Sequence, residues 1–392
     1  MVYQSIRVSP LLKFAQRLAV AMRSRSAPAH RVEDNLHDFA EATDLKVLFH
    51  VLPGAVLASH RWTEVLEVAP GPPDLAGLDA LESCSQAVVL GQISPLEGLR
   101  QIEKLDARGP YYGQGLTLLG FAAASATAVS FFGGGLLEMI ASGAIGTLCG
   151  LLISWRLAEV LVTCVGTFGL AIAAHYVPIA GDVALVTGII VLLPGFALTT
   201  ALTELATRHL ISGTSGVAAA TLTLLQLGFG VALGSRLAEL VVGPVVWSTE
   251  PVLLPGWVEP VALVGAALSF GILLQARARH LPHVLGACGV ALYATHAATP
   301  ILGPELAGGA GAFGVTICAN AASRGFNQPA AVWQVPGILL LVPGSVGFRS
   351  VTALLQHDVL GGVEAAFSTL LGAIALVGGS LAGAALVRPR SR

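Results

Sequence analysis

Charged residues are scarce in this chain of 392 amino acids, because Asp, Glu, Lys and Arg together make up only 11% of it. An ordinary soluble protein contains roughly 25% charged residues. Here 54% of the residues are hydrophobic and the mean hydropathy is +0.77, which indicates a membrane protein. The formal net charge of −2 provides no electrostatic attraction to nucleic acid, so we expect no nucleic-acid partner.

Lysine is nearly missing and is unevenly placed. The three lysines (Lys13, Lys46 and Lys104) and thirteen of the 23 acidic residues all precede residue 110. The chain therefore divides into a charged region, for which we expect a separate domain at 1–112, and a long apolar region. Without a lysine after Lys104, the apolar region cannot contain a Walker A sequence, which excludes an ATP-binding loop there.

Cysteine is also rare, and its five copies form no CxxC or other close pair. Four of the five lie in apolar stretches, where cysteine usually serves as a small core residue. We therefore expect no metal site and no cofactor. The first 20 residues carry Arg7, Lys13 and Arg17 without a long apolar run, so we expect no signal peptide and an N-terminal domain that stays in the cytoplasm.

The charged region is predicted to fold as a small α/β domain. Apolar spacing predicts helices over 10–22 and from 29 to about 43, and three short strands follow at 46–52, 55–60 and 64–68. Two further helices are predicted at 75–91 and 94–107, the second with Ser94 as its N-cap.

Ten apolar segments of 17–27 residues, each long enough to span a membrane, follow the charged region. They lie near 115–134, 136–155, 157–176, 183–203, 214–236, 258–276, 281–297, 300–322, 329–350 and 360–386. A proline-containing linker at 243–260, expected to be periplasmic, separates five spans (113–242) from five (261–392). The predicted fold is thus an α-helical polytopic membrane protein with about ten transmembrane helices.

Arginine placement gives the orientation of these spans. With the N-terminal domain in the cytoplasm, eight arginines of the apolar region lie on the cytoplasmic side: Arg156, Arg208, Arg277, Arg279, Arg324, Arg388, Arg390 and Arg392. Only Arg236 and Arg349 lie at outer ends, which agrees with the positive-inside rule. We expect both termini in the cytoplasm and a location in the bacterial inner membrane.

A Pro-Gly pair recurs inside two of the spans. GIIVLLPG (188–195) and GILLLVPG (337–344) share five of eight residues at an offset of 149 positions. Because five spans per half is an odd number, the two halves enter the membrane from opposite sides and form an inverted repeat. Broken helices at matching positions of two inverted repeats indicate a transporter's binding site near the midplane.

Three separated stretches resemble the bacterial threonine/serine exporter family. LLPGFALTTALTELATRHLISGTSG (192–216) is similar to the family's PG-x-x-x-T-N-x-x-x-D…G motif, VPGILLLVPGSVGFRSVTALLQ (335–356) to its second-half motif, and SAPAHRVEDNLHDFA (26–40) to its cytoplasmic motif. The resemblance implies an exporter of small hydroxylated amino acids, driven by the proton-motive force. Thr200 replaces the family's usual Asn, Glu204 its usual Asp, and Ser26 its usual Gly.

The segment that follows the first Pro-Gly pair contains four candidates for substrate binding or proton coupling: Thr199, Thr200, Thr203 and Glu204. Glu204 is either a protonatable carboxylate that couples proton entry to export or an i,i+4 partner of Arg208. Thr199, Thr200 and Thr203 either bind the substrate or bond to their own helix backbone.

The breaks themselves are predicted to bind substrate. Pro194-Gly195 and Pro343-Gly344, with Ser345 next to the second pair, would expose backbone groups to a zwitterionic ligand; the alternative is a kink for packing. Pro336-Gly337 predicts a further break. Arg349 either binds a substrate carboxylate or extends to outer headgroups. Asn320 serves either ligand binding or helix association, and Glu138, Asp182 and Glu305 are expected at solvated outer ends.

The predicted helix at 29–43 crowds charged and histidine residues together: His30, Arg31, Glu33, Asp34, His37 and Asp38. This cluster predicts either a solvated helix face or a contact that gates the transport path. The alternative is a membrane-anchored hydrolase whose activity depends on His30 or His37. No nucleophile motif supports the hydrolase, because GTSG (213–216) is followed by Val217 and so fails G-x-S-x-G. We therefore expect a transporter and not an enzyme. The expected function is export of small hydroxylated amino acids in exchange for protons, with export of another small metabolite as the alternative. The expected partners are the amino acid, protons and the lipid bilayer, and further copies of the chain are a candidate partner.

Overall fold

The computed structural model describes residues 9–60, 62–69, 71–244, 253–325 and 329–387. Residues 1–112 will be called the N-terminal region. Its elements are α1 (Pro10–Arg23), α2 (Ala29–Ala42), β1 (Leu48–Leu52), β2 (Ala55–Ser59), β3 (Thr63–Glu67), α3 (Leu75–Val89) and α4 (Pro95–Asp106). The predicted helices and strands are all present, and the Ser94 hydroxyl accepts a hydrogen bond of 3.2 Å from the Glu97 amide as predicted.

The three strands form an antiparallel sheet in the order β1-β2-β3. Their inward side chains meet the apolar faces of α1 and α2 in one core, in which Phe14, Leu36 and Val56 are fully buried. Complete burial of such a side chain stabilises a fold by about 1.5–3 kcal/mol. The N-terminal region thus has a hydrophobic core of its own.

Twelve helices follow within the described part of the apolar region. They are α5 (Gln114–Phe131), α6 (Leu136–Leu152), α7 (Ala158–Tyr176), α8 (Gly181–Gly188), α9 (Gly195–Ala206), α10 (Leu210–Val242), α11 (Val258–Leu273), α12 (Leu281–Leu302), α13 (Pro304–Gly325), α14 (Ala331–Leu341), α15 (Gly344–Leu355) and α16 (Val359–Leu386). We call 114–242 the first half and 258–386 the second half.

Seven helical stretches in the described residues are long and apolar enough to cross a membrane. Each coincides with a predicted span. The predicted spans at 136–155 and 258–276 coincide with the shorter apolar helices α6 and α11, and the span at 183–203 overlaps α8 and α9. Arg388, Arg390, Arg392 and residues 245–252 of the predicted linker lie outside the described residues.

The same pairs of helices pack together in both halves. Helix α6 packs on α8, α7 on α10 and α9 on α10, just as α12 packs on α14, α13 on α16 and α15 on α16. Between the halves, α5 packs on α11 and α9 on α15, and the contact of α10 with α15 is matched by that of α9 with α16.

Individual contacts recur as well. A Cβ atom placed on Gly234 would lie 3.0 Å from Thr167 Cβ, and one placed on Gly383 would lie 3.0 Å from Thr316 Cβ. Both residues of the second pair follow those of the first by 149 positions. Close contacts between α7 and α10 and between α13 and α16 therefore repeat at the offset of the two Pro-Gly segments.

The N-terminal region covers one end of the helical bundle, which we call the near face. This face contains the end of α9, the start of α10, the connection between α11 and α12, and the start of α14. The opposite end will be called the far face.

Candidate functional site at two broken helices

Both predicted breaks are present, and the backbone has nearly the same conformation at each. Pro194 precedes α9 with φ −79° and ψ 30°, and Pro343 precedes α15 with φ −79° and ψ 34°. Because proline has no amide hydrogen and cannot continue the preceding helix, each helix restarts at the glycine that follows.

The two breaks touch each other. A Cβ atom on Gly195 would lie 2.9 Å from both Cα and N of Gly344, and one on Gly344 would lie 3.1 Å from Gly195 Cα. Such separations leave no room for any side chain between the two main chains. We call this contact, between Gly195 and Gly344, the crossing. The structure thus brings together the four residues of the two Pro-Gly pairs.

Helices α9 and α15 both begin at the crossing and run away from it. In the described part of the chain, the backbone N–H groups of residues 195–197 and 344–346 have no hydrogen-bond acceptor. The first N–H groups of a helix carry partial positive charge and have no partner within the helix. Six such donors near one point can bind an anionic group such as a carboxylate.

Side chains from neighbouring helices satisfy the backbone around the first break. The Ser125 hydroxyl donates to the Gly188 carbonyl at 2.8 Å, and the Ser142 hydroxyl lies 3.0 Å from the Ala184 carbonyl. Irregular backbone is tolerated in an apolar bundle only when protein or water satisfies it. The prediction of a further break at Pro336 is wrong, because α14 continues through Pro336, which is buried.

The threonines of α9 have different surroundings. Thr199 is only 5% exposed and its hydroxyl oxygen has no hydrogen-bond partner among the described residues. The Thr203 hydroxyl donates to the Thr199 carbonyl at 2.9 Å, which is the backbone alternative foreseen for it. Thr200 is half-buried, and Ser345, directly after the crossing, is buried. Thr199 is therefore the threonine with an unused polar group near the crossing.

Two predicted binding residues lie away from the crossing. Arg349 is exposed, and its guanidinium carbon lies 5.9 Å from the ring centre of Phe132, at the end of α5. Asn320 is 2% exposed, and its amide donates to the Val387 carbonyl at 2.6 Å. That bond ties α13 to the end of α16, which is the helix-association alternative.

Glu204 lies at the near face, buried and bonded to the N-terminal region. Its Oε1 accepts a hydrogen bond of 3.0 Å from the amide of Ala29, the first residue of α2. No ion pair forms between Glu204 and Arg208 in the described residues; Arg208 instead turns the chain between α9 and α10 with φ 67°. Since Glu204 follows Pro194 by ten residues, it is about 15 Å along the helix from the crossing.

Further polar groups join α2 to the corner between α9 and α10. Glu33 Oε2 lies 2.9 Å from His209 Nε2, and the Ser212 hydroxyl donates to the Val51 carbonyl at 3.2 Å. The ring of His30 is 6.4 Å from that of His209. Burial, together with the charges of Arg31 and His209, lowers the pKa of His30 to about 4, so this imidazole is neutral at pH 7.

The prediction for the charged face of α2 holds only for some of its residues. Asp34, His37 and Asp38 are exposed, whereas His30 and Glu33 face the bundle, where Glu33 contacts His209. His209 was not singled out from the sequence, because nothing local to residues 207–212 indicates that a distant helix packs there. No cluster of three metal-ligating side chains is found in the described residues.

A second contact joins α3 to the connection between α11 and α12. The amides of Leu75 and Ala76 donate to the carbonyls of Leu274 and Gln275 at 2.9 and 3.1 Å. Asp79 is 4% exposed. It bonds three basic side chains, with distances of 3.0 Å to Arg277, 2.9 Å to Arg279 and 3.5 Å to His280.

The basic neighbours set the protonation of Asp79. Burial acts to raise the pKa of this carboxyl, but the hydrogen bond from His280 and the charges of Arg277 and Arg279 outweigh burial, so that the pKa lies below its ordinary value. Asp79 is therefore a carboxylate at neutral pH. No sequence pattern indicated this site, since the partners of Asp79 lie about 200 positions later in the chain.

One acidic residue at the far face contradicts its prediction. Glu138 was expected at a solvated helix end, but it is 2% exposed, and its two oxygens accept the amides of Gly135 and Ala180 at 2.9 and 2.8 Å. It joins the starts of α6 and α8. Asp182 and Glu305 are exposed as expected.

The apolar helices, their shared packing pattern and the crossing define a multi-pass helical membrane protein. Comparison with models of protein families identifies the family of membrane proteins to which the chain belongs. A model described as a putative threonine/serine exporter matches residues 13–238, and a second, described as threonine/serine exporter ThrE, matches residues 261–386. The chain belongs to the threonine/serine exporter family, as its motifs indicated.

Two curated fungal proteins are similar to the chain. Pheromone-regulated membrane protein 10 of Eremothecium gossypii is 27% identical over 379 residues, covering 88% of this chain and 50% of the relative. An uncharacterised protein of Schizosaccharomyces pombe is 24% identical over 247 residues, covering 57% of this chain and 32% of the relative. The chain thus spans half or less of the length of these relatives. No solved structure matches the chain.

Proposed function

We propose that the protein is a secondary transporter that exports threonine, serine or a similar small hydroxylated amino acid in exchange for protons. The observation that carries this proposal is the crossing, where the starts of two broken helices meet and six backbone amides are free to bind a carboxylate. Family membership supports the same substrate class. In this proposal the chain transports its substrate unchanged and has no catalytic residue.

We further propose that the two halves are inverted repeats that alternate in opening the crossing to either side of the membrane. The recurring helix pairs support this arrangement. The contact of Gly234 with Thr167 and that of Gly383 with Thr316, at the same offset of 149 positions, support it as well. Such repeats give alternating access in many secondary transporters.

In the proposed orientation, the near face is cytoplasmic and the membrane is the bacterial inner membrane. The arginine pattern supports this, because Arg156, Arg208, Arg277, Arg279 and Arg324 all lie at helix ends of the near face. Residues 1–112 then form a cytoplasmic domain that precedes the membrane halves.

Substrate binding is proposed to use three kinds of group. The free amides at the crossing bind the substrate carboxylate, the Thr199 hydroxyl bonds the substrate hydroxyl, and Glu204 takes up the exchanged proton. Glu204 lies about 15 Å along α9 from the crossing. Proton and substrate would therefore be coupled through movement of α9 and not by direct contact.

The proposal is tested by loading proteoliposomes with labelled L-threonine and measuring efflux with and without a pH gradient. Efflux is expected to accelerate when the external solution is more acidic than the vesicle interior, so that protons enter as threonine leaves. Glu204→Gln is expected to remove that acceleration because an amide cannot take up the proton. Efflux that ignores the gradient in the unmodified protein, or a gradient response that survives Glu204→Gln, would contradict proton coupling through this residue. The same efflux measurement with labelled L-serine and with labelled L-leucine tests whether the transporter prefers amino acids with a side-chain hydroxyl.

Thr199→Val is expected to raise the KM for threonine about tenfold, which corresponds to about 1.4 kcal/mol for one lost hydrogen bond. Folding should not suffer, because the buried hydroxyl has no hydrogen-bond partner among the residues that the structure describes. Thr203→Val is the matched control, since its hydroxyl bonds the helix backbone. Equal KM values in the two variants would exclude Thr199 as a substrate ligand.

A further inference from the structure

The N-terminal region contacts both halves of the bundle at the near face. Toward the first half, α2 and β1 contact Glu204, His209 and Ser212. Toward the second half, α3 contacts residues 274–280. Arg31 of α2 also reaches Gln334 of α14, with 3.4 Å between Nη1 and Oε1. Halves that move relative to each other cannot keep all of these contacts.

The two contacts differ in kind. Among the described residues, every hydrogen bond between α2 or β1 and the bundle uses a side chain, and three of these side chains, Glu33, Glu204 and His209, are acidic or basic. The contact of α3 instead combines two bonds between main chains with the ion pairs of the buried Asp79. A contact through side chains can break without disturbing either backbone, so the α2 contact is the more easily released.

Buried groups at the α2 contact are incompletely bonded. The Nε atom of Arg23 and the Nδ1 atom of His30 are buried without a hydrogen-bond partner in the described residues. Burial lowers the pKa of Arg23, while the nearby charge of Glu204 acts to raise it. A buried donor or acceptor without a partner disfavours the state that buries it, and release of α2 would return both groups to water.

We propose that α2 is the cytoplasmic gate of the transporter: docked on Glu204 and His209 it closes the near face, and it swings away about the α3 contact to admit substrate. The proposal rests on the transport function proposed above. It gives Ala29, His30 and Glu33 of the N-terminal region a part in transport although none of them lies at the crossing. Glu204 then serves both as proton acceptor and as the residue that holds the gate closed.

A reversible cross-link tests the gate in the full-length protein, with its native cysteines replaced. Val51→Cys with Ser212→Cys places thiols on β1 and α10, where the Val51 carbonyl and the Ser212 hydroxyl are 3.2 Å apart. Because the Val51 side chain is only 3% exposed, formation of the disulfide is verified by thiol titration before efflux is measured. Oxidation is expected to lower threonine efflux at least tenfold, and reduction should restore it. Ala76→Cys with Gln275→Cys, across the α3 contact, is the matched control and should keep its efflux when oxidised. Undiminished efflux from the oxidised Val51–Ser212 pair, or loss from the control pair, overturns the proposal.

A second measurement does not depend on transport. Thr199→Cys in the same cysteine-free protein is labelled with a membrane-impermeant maleimide added at the near face. Labelling is expected to be slow when α2 is docked, and about tenfold faster after Glu33→Gln together with His209→Gln remove the contact of 2.9 Å. An unchanged labelling rate overturns the gate. Absence of threonine and serine transport in every variant, with faster labelling retained, contradicts only the proposed function.

Discussion

Replacing Gly195 with alanine is expected to lower threonine efflux at least tenfold and to destabilise the protein. The added methyl group would lie 2.9 Å from the main chain of Gly344 and still closer to the Val342 side chain. Backbone atoms cannot move aside as the end of a flexible side chain can, and overpacking a tight interior costs about 1–3 kcal/mol. Efflux from proteoliposomes and the thermal unfolding midpoint measure the two effects.

Gly169→Ala provides the control for this substitution. Gly169 lies in α7 of the same half, and a Cβ atom there would meet no heavy atom within 4 Å, so efflux and unfolding midpoint should both stay unchanged. Gly344→Ala should act in the same direction as Gly195→Ala but less strongly, because its methyl group would lie 3.1 Å from Gly195 Cα. If Gly195→Ala transported at the unmodified rate, the crossing would not be the site where the halves must fit closely.

The breaks could be predicted from the sequence because their cause is local. A proline removes a backbone hydrogen bond from its own helix. The repeated GI…PG pattern marks both interruptions, whereas Pro336, through which α14 continues, does not end such a pattern. The contact of Gly195 with Gly344 agrees with the proposed inverted repeat, in which equivalent segments of the two halves would meet near a common axis. The contact also explains why the residue after each proline is glycine.

The surroundings of Glu204 could not be predicted in the same way. The sequence placed it within reach of Arg208, and an i,i+4 pair was the local alternative. Its actual partner, the Ala29 amide, lies 175 positions earlier. The N-terminus of a helix attracts a carboxylate from any part of the chain. The helix pattern of α2 therefore predicted that its first amide groups would be free to donate, but not that Glu204 would be the acceptor. Glu138 was misplaced for the same reason, because its partner Ala180 belongs to another helix.

The separation of Glu204 from the crossing affects how coupling can work. A carboxylate at the crossing would compete with the substrate carboxylate for the free amides of α9 and α15. At the near face, Glu204 instead contacts α2 at one end of α9, while residues 195–197 lie at the other end. In the proposed mechanism, this one helix of twelve residues would join the proton site, the gate and the substrate site.

Asp79→Ala is expected to release the N-terminal region from the second half and to lower the free energy of unfolding by about 3 kcal/mol. Removing one partner of a buried ion pair costs about 3–5 kcal/mol. We expect the lower end, because the Arg279 side chain is 62% exposed and its charge is screened by water. Amide hydrogen exchange at Leu75 and Ala76, whose amides bond the α11–α12 connection, should accelerate at least tenfold. Glu103→Ala, at an exposed acid of α4, is the control and should leave this exchange unchanged.

The same contact is expected to have a defined pH dependence. Because the pKa of Asp79 in the folded protein is below its ordinary value of 3.8, its contribution is fully present above pH 3.8 and is lost as the pH falls through the lowered pKa. Exchange at Leu75 and Ala76, corrected for the intrinsic effect of pH, should thus be constant from pH 5 to 8. It should rise only in stronger acid, and Asp79→Asn should abolish that rise. Acceleration of exchange already between pH 5 and 8 would contradict control of this contact by the Asp79 carboxylate.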